Sequence, residues 1–155
     1  MNNKEIELTA YCGLYCGDCI RYRSKAADLA RDLLSELQNT GFGKYAEVKS
    51  SSVNKAEELK HYQECCKVLA AIVELQCNES CRVGGGCPTF SCTIVNCCQK
   101  KGFEGCWQCG EFENCKDFES LKPFHGDAPL QNLRKIKALG LDKWAQHRNK
   151  FYVWQ

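Results

Sequence analysis

The sequence predicts a mostly α protein: a small helical domain carrying an irregular Cys-rich metal-binding module, with little or no sheet. Three observations predict it. Apolar residues recur with helical spacing over 20–40, 55–76 and 127–147, and strand-like alternation is weak throughout. Most of the 14 cysteines gather at 11–19 and 77–118, outside those periodic stretches. A length of 155 residues suits a single domain over 1–155, and no internal repeat or low-complexity tail is visible.

Residues 20–40 read as the first helix. Ala26, Ala30 and Leu34, with Leu29, Leu33 and Leu37, recur at i+4 and form one apolar stripe. Asp18 is the candidate N-cap, and Asn39-Thr40-Gly41 is the stop. Residues 41–54, with the Ser50-Ser51-Ser52 run, read as a loop. The second helix, 55–76, opens on the capping-box spacing of Asn54 and Glu57. It places Leu59, Tyr62, Cys66, Leu69 and Val73 on one face, with Cys65 and Ile72 beside them. Between 77 and 115 lie nine cysteines, three consecutive glycines and Pro88. Loops and short turns are expected there, apart from a short helix over 93–102 ended by Gly102. In 127–147 Asp127 can cap, Pro129 is tolerated in the first turn, and Leu130, Leu133, Ile136 and Leu139 recur every three residues. Gly140 stops that helix, and Asp142 can cap a last short one through Trp144.

The opening residues MNNKEIELTAYCG contain neither an apolar run nor a small-residue cleavage site, and no apolar stretch reaches the roughly 18 residues that span a membrane. A cytoplasmic protein without a membrane partner is therefore expected, with its thiols reduced. Clustered cysteines in that setting read as metal ligands before disulfides. Zinc takes four ligands tetrahedrally and favours thiolates in structural sites. The CxxC pairs Cys16/Cys19 and Cys106/Cys109 reach one metal from a tight turn. Gly17 inside the first pair and Gly110 after the second are expected to permit that turn's backbone angles. Cys12 precedes the first pair. Cys77/Cys81 and Cys92/Cys97 are looser pairs, and Cys115 can complete a site with Cys106 and Cys109. The first cluster supplies three ligands and needs a fourth from the Cys-rich segment. Which cysteines share a site is not legible from spacing.

Cys65 and Cys66 point about 100° apart on a helix and read as core residues. Cys98 adjoins Cys97 in a pair of which one usually ligates, and Cys87 is a ligand or a spare. The expected load is about two zinc ions, with an iron–sulfur cluster as the alternative, because the same thiolates serve both. Two four-thiolate zinc sites would take the formal charge from +2 to about −2.

The C-x3-C-x2-C spacing of YCGLYCGDC also matches radical enzymes that use S-adenosylmethionine. Their barrel needs far more chain than follows Cys19, and a spacing without its fold is a weak signal. The stretches CGLYCGDC and SCTIVNCCQKKGFEGCWQCGEFENC, separated by a helix pair, resemble a family of small Cys-rich bacterial and archaeal proteins of unknown function held to bind zinc. The resemblance covers 11–19 and 77–118, and weakly NLRKIKALGLDKW. It implies Cys12, Cys16, Cys19, Cys77, Cys81, Cys92, Cys97, Cys106, Cys109 and Cys115 as metal ligands and names no reaction. Members often carry Pro where Asn114 stands, and space the Cys77/Cys81 pair one residue tighter.

No catalytic constellation stands out. Among the three histidines, His61 and His147 read as surface residues. His125, in the loop KPFHGDAP, is the only one in a plausible reactive setting. VGGGCP lacks the lysine and helix start of a phosphate loop. Residues 128–155 carry six Lys or Arg and one acid, interleaved with Trp144, Phe151, Tyr152 and Trp154. That pattern suits nucleic acid, but no single face collects the charges. The expected role is structural zinc in a binding or adaptor domain. The alternatives are an iron–sulfur redox protein and a zinc-stabilised nucleic-acid binder.

Overall fold

The structure is a computed structural model that describes residues 3–52, 54–86, 92–150 and 152–153. Among these it is helical, with two isolated bridges (Thr9 with Tyr15, Tyr22 with Cys77) and no sheet. The helices are α1 (Asn3–Leu8), α2 (Lys25–Asn39), α3 (Phe42–Ser52), α4 (Tyr62–Glu74), α5 (Thr93–Lys101), α6 (Lys122–His125) and α7 (Ala128–Leu139), joined by short 3-10 turns. No helix among the described residues is long and apolar enough to cross a membrane. The chain forms two compact units, one from 1–22 with 77–155, the other from 23–76.

In the unit of residues 23–76, α2 packs on α4, and α3 on the 3-10 segment Asn54–His61. Ser24, not Asp18, caps α2, its hydroxyl accepting from the Ala27 N–H at 3.3 Å. The buried face is also turned from the expected stripe: Ala27 and Ala30 are buried, Leu34 and Leu37 half-buried, while Ala26, Leu29 and Leu33 are exposed. Close approach of α4 is easiest over the two alanines. Gln76 ties the ends of the unit together, its amide donating to Asp28 at 2.9 Å and to the Ser24 carbonyl at 3.3 Å.

Residues expected as a loop form α3 instead. Phe42 stacks near Tyr45 and Tyr62, with ring centroids 5.4 and 5.7 Å away, and Ala46 is buried. The serine run is compatible because each hydroxyl bonds back one turn, Ser50 and Ser51 to the Glu47 carbonyl and Ser52 to that of Val48. The second predicted helix begins as the 3-10 segment and becomes α only at Tyr62. Tyr62, Cys66, Leu69, Ile72 and Val73 share its half-buried face. Cys65 is exposed rather than core, because it falls one step off that face.

In the other unit α7 is the central post. Leu133 is fully buried and Ile136 nearly so, but Leu139 is 41% exposed. Asp127 sits at the cap position of α7 without a side-chain bond. Around α7 pack Ile94 and Cys98 of α5, Cys106, Phe112, Phe118 and Trp144. Trp144 has no exposed surface; its indole N–H donates to Thr9 Oγ1 at 3.1 Å, and that hydroxyl donates to the Glu5 carbonyl at 2.8 Å. The buried Asn132 amide donates to the Asn149 carbonyl at 3.2 Å and accepts from its N–H at 2.7 Å, so α7 holds the chain at Asn149 by a two-bond clamp.

Candidate metal centre

Both CxxC pairs fold into the same device. Cys16–Asp18 and Cys106–Gln108 are 3-10 turns in which the N–H of the second cysteine donates to the carbonyl of the first, 3.0 Å in each case. The second cysteines have nearly the same extended backbone, φ −75° at Cys19 and −78° at Cys109. Gly17 and Gly110 take no positive φ; the left-handed position of the first cluster is Gly13, at φ +84°. A Cβ there would lie 3.0 Å from the Pro129 carbonyl, so glycine lets the first Cys loop lie against α7. Cys106 N–H donates to the Tyr11 carbonyl at 2.9 Å, which brings the two Cys segments together.

The thiols form two adjoining groups, linked where Cys12 meets Cys106 and Cys92 meets Cys98. In the first, Cys12 interacts with Cys81, Cys92 and Cys16, and Cys16 with Cys19 and Cys77. These residues come from three stretches of chain. Burial pushes the Cys12 thiol far above its ordinary range and raises Cys16. Burial, then the Cys16 thiol, push Cys81 up to about 11. The backbone nearby opposes this, that of Leu14 at Cys12, of Cys81 at Cys16 and of Tyr11 at Cys81 each favouring the charged sulfur. At the edge of this group the Cys77 sulfur accepts from the Gly86 N–H at 3.4 Å. Gly85 is needed in that loop, since a Cβ would fall 1.9 Å from the Glu79 carbonyl oxygen.

Arg82 completes the first group. Its Nε donates to the Thr9 carbonyl at 2.7 Å. Its guanidinium stands over the rings of Tyr11 and Trp107, 5.1 and 5.3 Å from their centroids. Its Nη2 is buried with no hydrogen-bond partner among the described residues, and no carboxylate there forms an ion pair with it. Its charge instead favours the thiolates of Cys16 and Cys81.

The second group is built around Cys98 and Cys106, both buried, with sulfurs 3.6 Å apart. Burial raises both thiols, Cys106 far above the ordinary range. Cys97, Cys109 and Cys115 line a cavity with them. Spacing alone had favoured Cys97 over Cys98. The missed signal is that Cys98 follows Ile94 by four residues, so both face inward from α5, and both are buried. Cys87 lies outside the described residues.

Among the described residues no three Cys, His, Asp or Glu side chains converge tightly enough to grip one ion. The donor set nonetheless suits a soft metal. Two thiolates on one tetrahedral metal with bonds of about 2.3 Å stand about 3.8 Å apart, close to the Cys98–Cys106 separation. The Gly86 N–H aimed at the Cys77 sulfur serves a thiolate better than a neutral thiol.

Other candidates are placed elsewhere. His61 and His147 are exposed. His125 stacks edge-on against Tyr152, ring centroids 5.0 Å apart. The C-terminal basic and aromatic residues are largely taken up by the fold. Trp144 and Tyr152 are buried. Arg148 grips Asp18 through two bonds, 2.5 and 2.7 Å, and stands 4.3 Å from the Tyr15 ring centroid. Lys150 lies 3.5 Å from the same carboxylate. Phe151 and Trp154 lie outside the described residues.

Fold and site together define a helical, thiol-rich protein in which two Cys segments distant in sequence are packed side by side. The chain belongs to DUF3795, a family of proteins of unknown function, whose pattern matches residues 8–120. That span includes every candidate ligand from Cys12 to Cys115. No curated protein and no solved structure matches the chain.

Proposed function

We propose that this is a metal-binding protein in which Cys12, Cys16, Cys81 and Cys92 hold a structural zinc ion, within a binding or adaptor domain. The observation that carries this reading is that thiols from three chain segments, Cys12 and Cys16 with Cys81 and Cys92, neighbour one another closely enough for each to disfavour charge on the next. Arg82 supports it, since a half-buried guanidinium with its Nη2 buried and no carboxylate paired to it among the described residues favours negative charge nearby, and the thiolates of Cys16 and Cys81 supply that. Metal-free, the raised thiols of Cys12, Cys16 and Cys81 are neutral, and neutral thiols have no electrostatic reason to gather. A metal ion displaces their protons and draws the sulfurs together. Zinc bound there fastens the chain start to the Cys-rich segment and contributes folding energy outright.

The test is elemental analysis of anaerobically purified protein, with Cys81→Ser and Cys92→Ser beside it. At least one zinc per chain is expected, lost in either variant. Wild-type protein that is folded yet free of bound metal would refute the reading.

A further inference from the structure

A single ion held by four thiolates has all its ligand sulfurs about 3.8 Å apart, which leaves room for that ion alone. Beside Cys98 and Cys106 opens a cavity of about 370 Å³. That is roughly ten times the volume share of one water molecule, and it falls in the size range of cofactor sites. Its lining combines five thiols, Cys97, Cys98, Cys106, Cys109 and Cys115, with an apolar wall of Ile94, Phe103, Phe112 and Phe118.

We propose that this cavity is the site of an iron–sulfur cluster, ligated through Cys98 and Cys106 and completed from Cys97, Cys109 and Cys115. The proposal rests on the reading that the gathered thiols bind metal, and it assigns this second group a different occupant from the first. Four features favour it. Cys98 and Cys106, with sulfurs 3.6 Å apart, are spaced as two ligands of one tetrahedral metal. Inorganic sulfide and further iron would account for the remaining volume, which one zinc ion would leave empty. No histidine lines the cavity, and an all-thiolate set is the usual ligand set of such clusters. The apolar wall borders the thiols, and Lys101 supplies a cation beside the Glu111 and Asp117 carboxylates that also line the cavity. Five thiols for four ligand positions leave one of the three outer cysteines as a spare.

The experiment loads anaerobically purified protein with ferric and ferrous iron and sodium sulfide, removes the excess, and records zinc, iron, acid-labile sulfide and visible absorption. The expected result is about one zinc with about two to four iron and matching sulfide per chain, and a visible band bleached by dithionite. Cys98→Ser and Cys106→Ser should lose iron and colour while keeping zinc. The retained zinc shows that these variants are folded. Cys97→Ser, Cys109→Ser and Cys115→Ser should divide, one of them keeping the cluster. Colourless protein with two zinc and no iron would overturn the cluster while leaving the metal-binding reading intact. Full colour in both Cys98→Ser and Cys106→Ser would place the cluster elsewhere and overturn it too. Protein that binds neither metal would refute the reading beneath it.

Discussion

Two Arg–carboxylate pairs in this protein have the same two-bond form but different surroundings, and they should differ sharply in worth. Arg148 and Asp18 keep only 19% and 13% of their side-chain surface exposed; Arg134 and Glu113 keep 57% and 41%. Replacing Arg148 by Met strands the Asp18 carboxylate beside Lys150, 3.5 Å away, and removes the cation over Tyr15. Breaking a fully buried pair costs about 3–5 kcal/mol. The residual exposure and the Lys150 contact reduce this to about 2–3 kcal/mol, or about 5–10 °C in Tm for a domain of this size. Arg134→Met should shift the melting curve little. Urea denaturation measures both. A cycle of Asp18→Asn, Arg148→Met and the double variant should show a coupling above about 1 kcal/mol. The pH dependence has a definite sign. Burial alone would raise the Asp18 carboxyl, but the Arg148 hydrogen bond and charge, with Lys150, hold it below the ordinary range. A carboxyl lowered in the folded state stabilises above its unfolded pKa, about 3.9, and loses that contribution as pH falls through the lower folded value. The difference between wild type and Asp18→Asn should therefore be full at neutral pH and shrink in acid. Equal effects of Arg148→Met and Arg134→Met, or a coupling near zero, would refute the reasoning.

Exhaustive chelation should lower the melting temperature or abolish the cooperative transition, as followed by circular dichroism; an unchanged melting curve would count against structural metal. Gly13→Ala should destabilise by about 1–3 kcal/mol in urea titration, because it meets both a left-handed backbone and the Pro129 carbonyl. Asn132→Ala removes both bonds to Asn149 and should cost about 1–3 kcal/mol, with hydrogen exchange at the Asn149 amide rising more than at α7. Truncation after residue 140 removes Trp144 and Arg148, so it should lower stability rather than abolish a salt-sensitive retention on DNA or RNA; such retention, lost on truncation, would favour the nucleic-acid reading.

The sequence by itself determined the helical class, because period-3.6 patterns and stop residues are local signals: α2, α5 and α7 end at or beside Asn39-Thr40-Gly41, Gly102 and Gly140. It also marked the cysteines and their two turn-forming pairs, since a CxxC turn is closed by its own backbone bond. What it could not decide depended on partners distant in the chain. Asp18 looked like a helix cap until Arg148, 130 residues away, claimed its carboxylate. The serine run looked like a loop until Phe42 and Ala46 found neighbours to pack on. Leu29 and Leu33 had the right period, yet which side of a helix is buried is set by the element that packs there. The same holds for the cysteines: the spacing from Cys92 favoured Cys97, and only the packing of α5 buried Cys98 against Cys106. Ligand grouping is a property of side-chain directions in three dimensions, and only the tertiary structure supplies those.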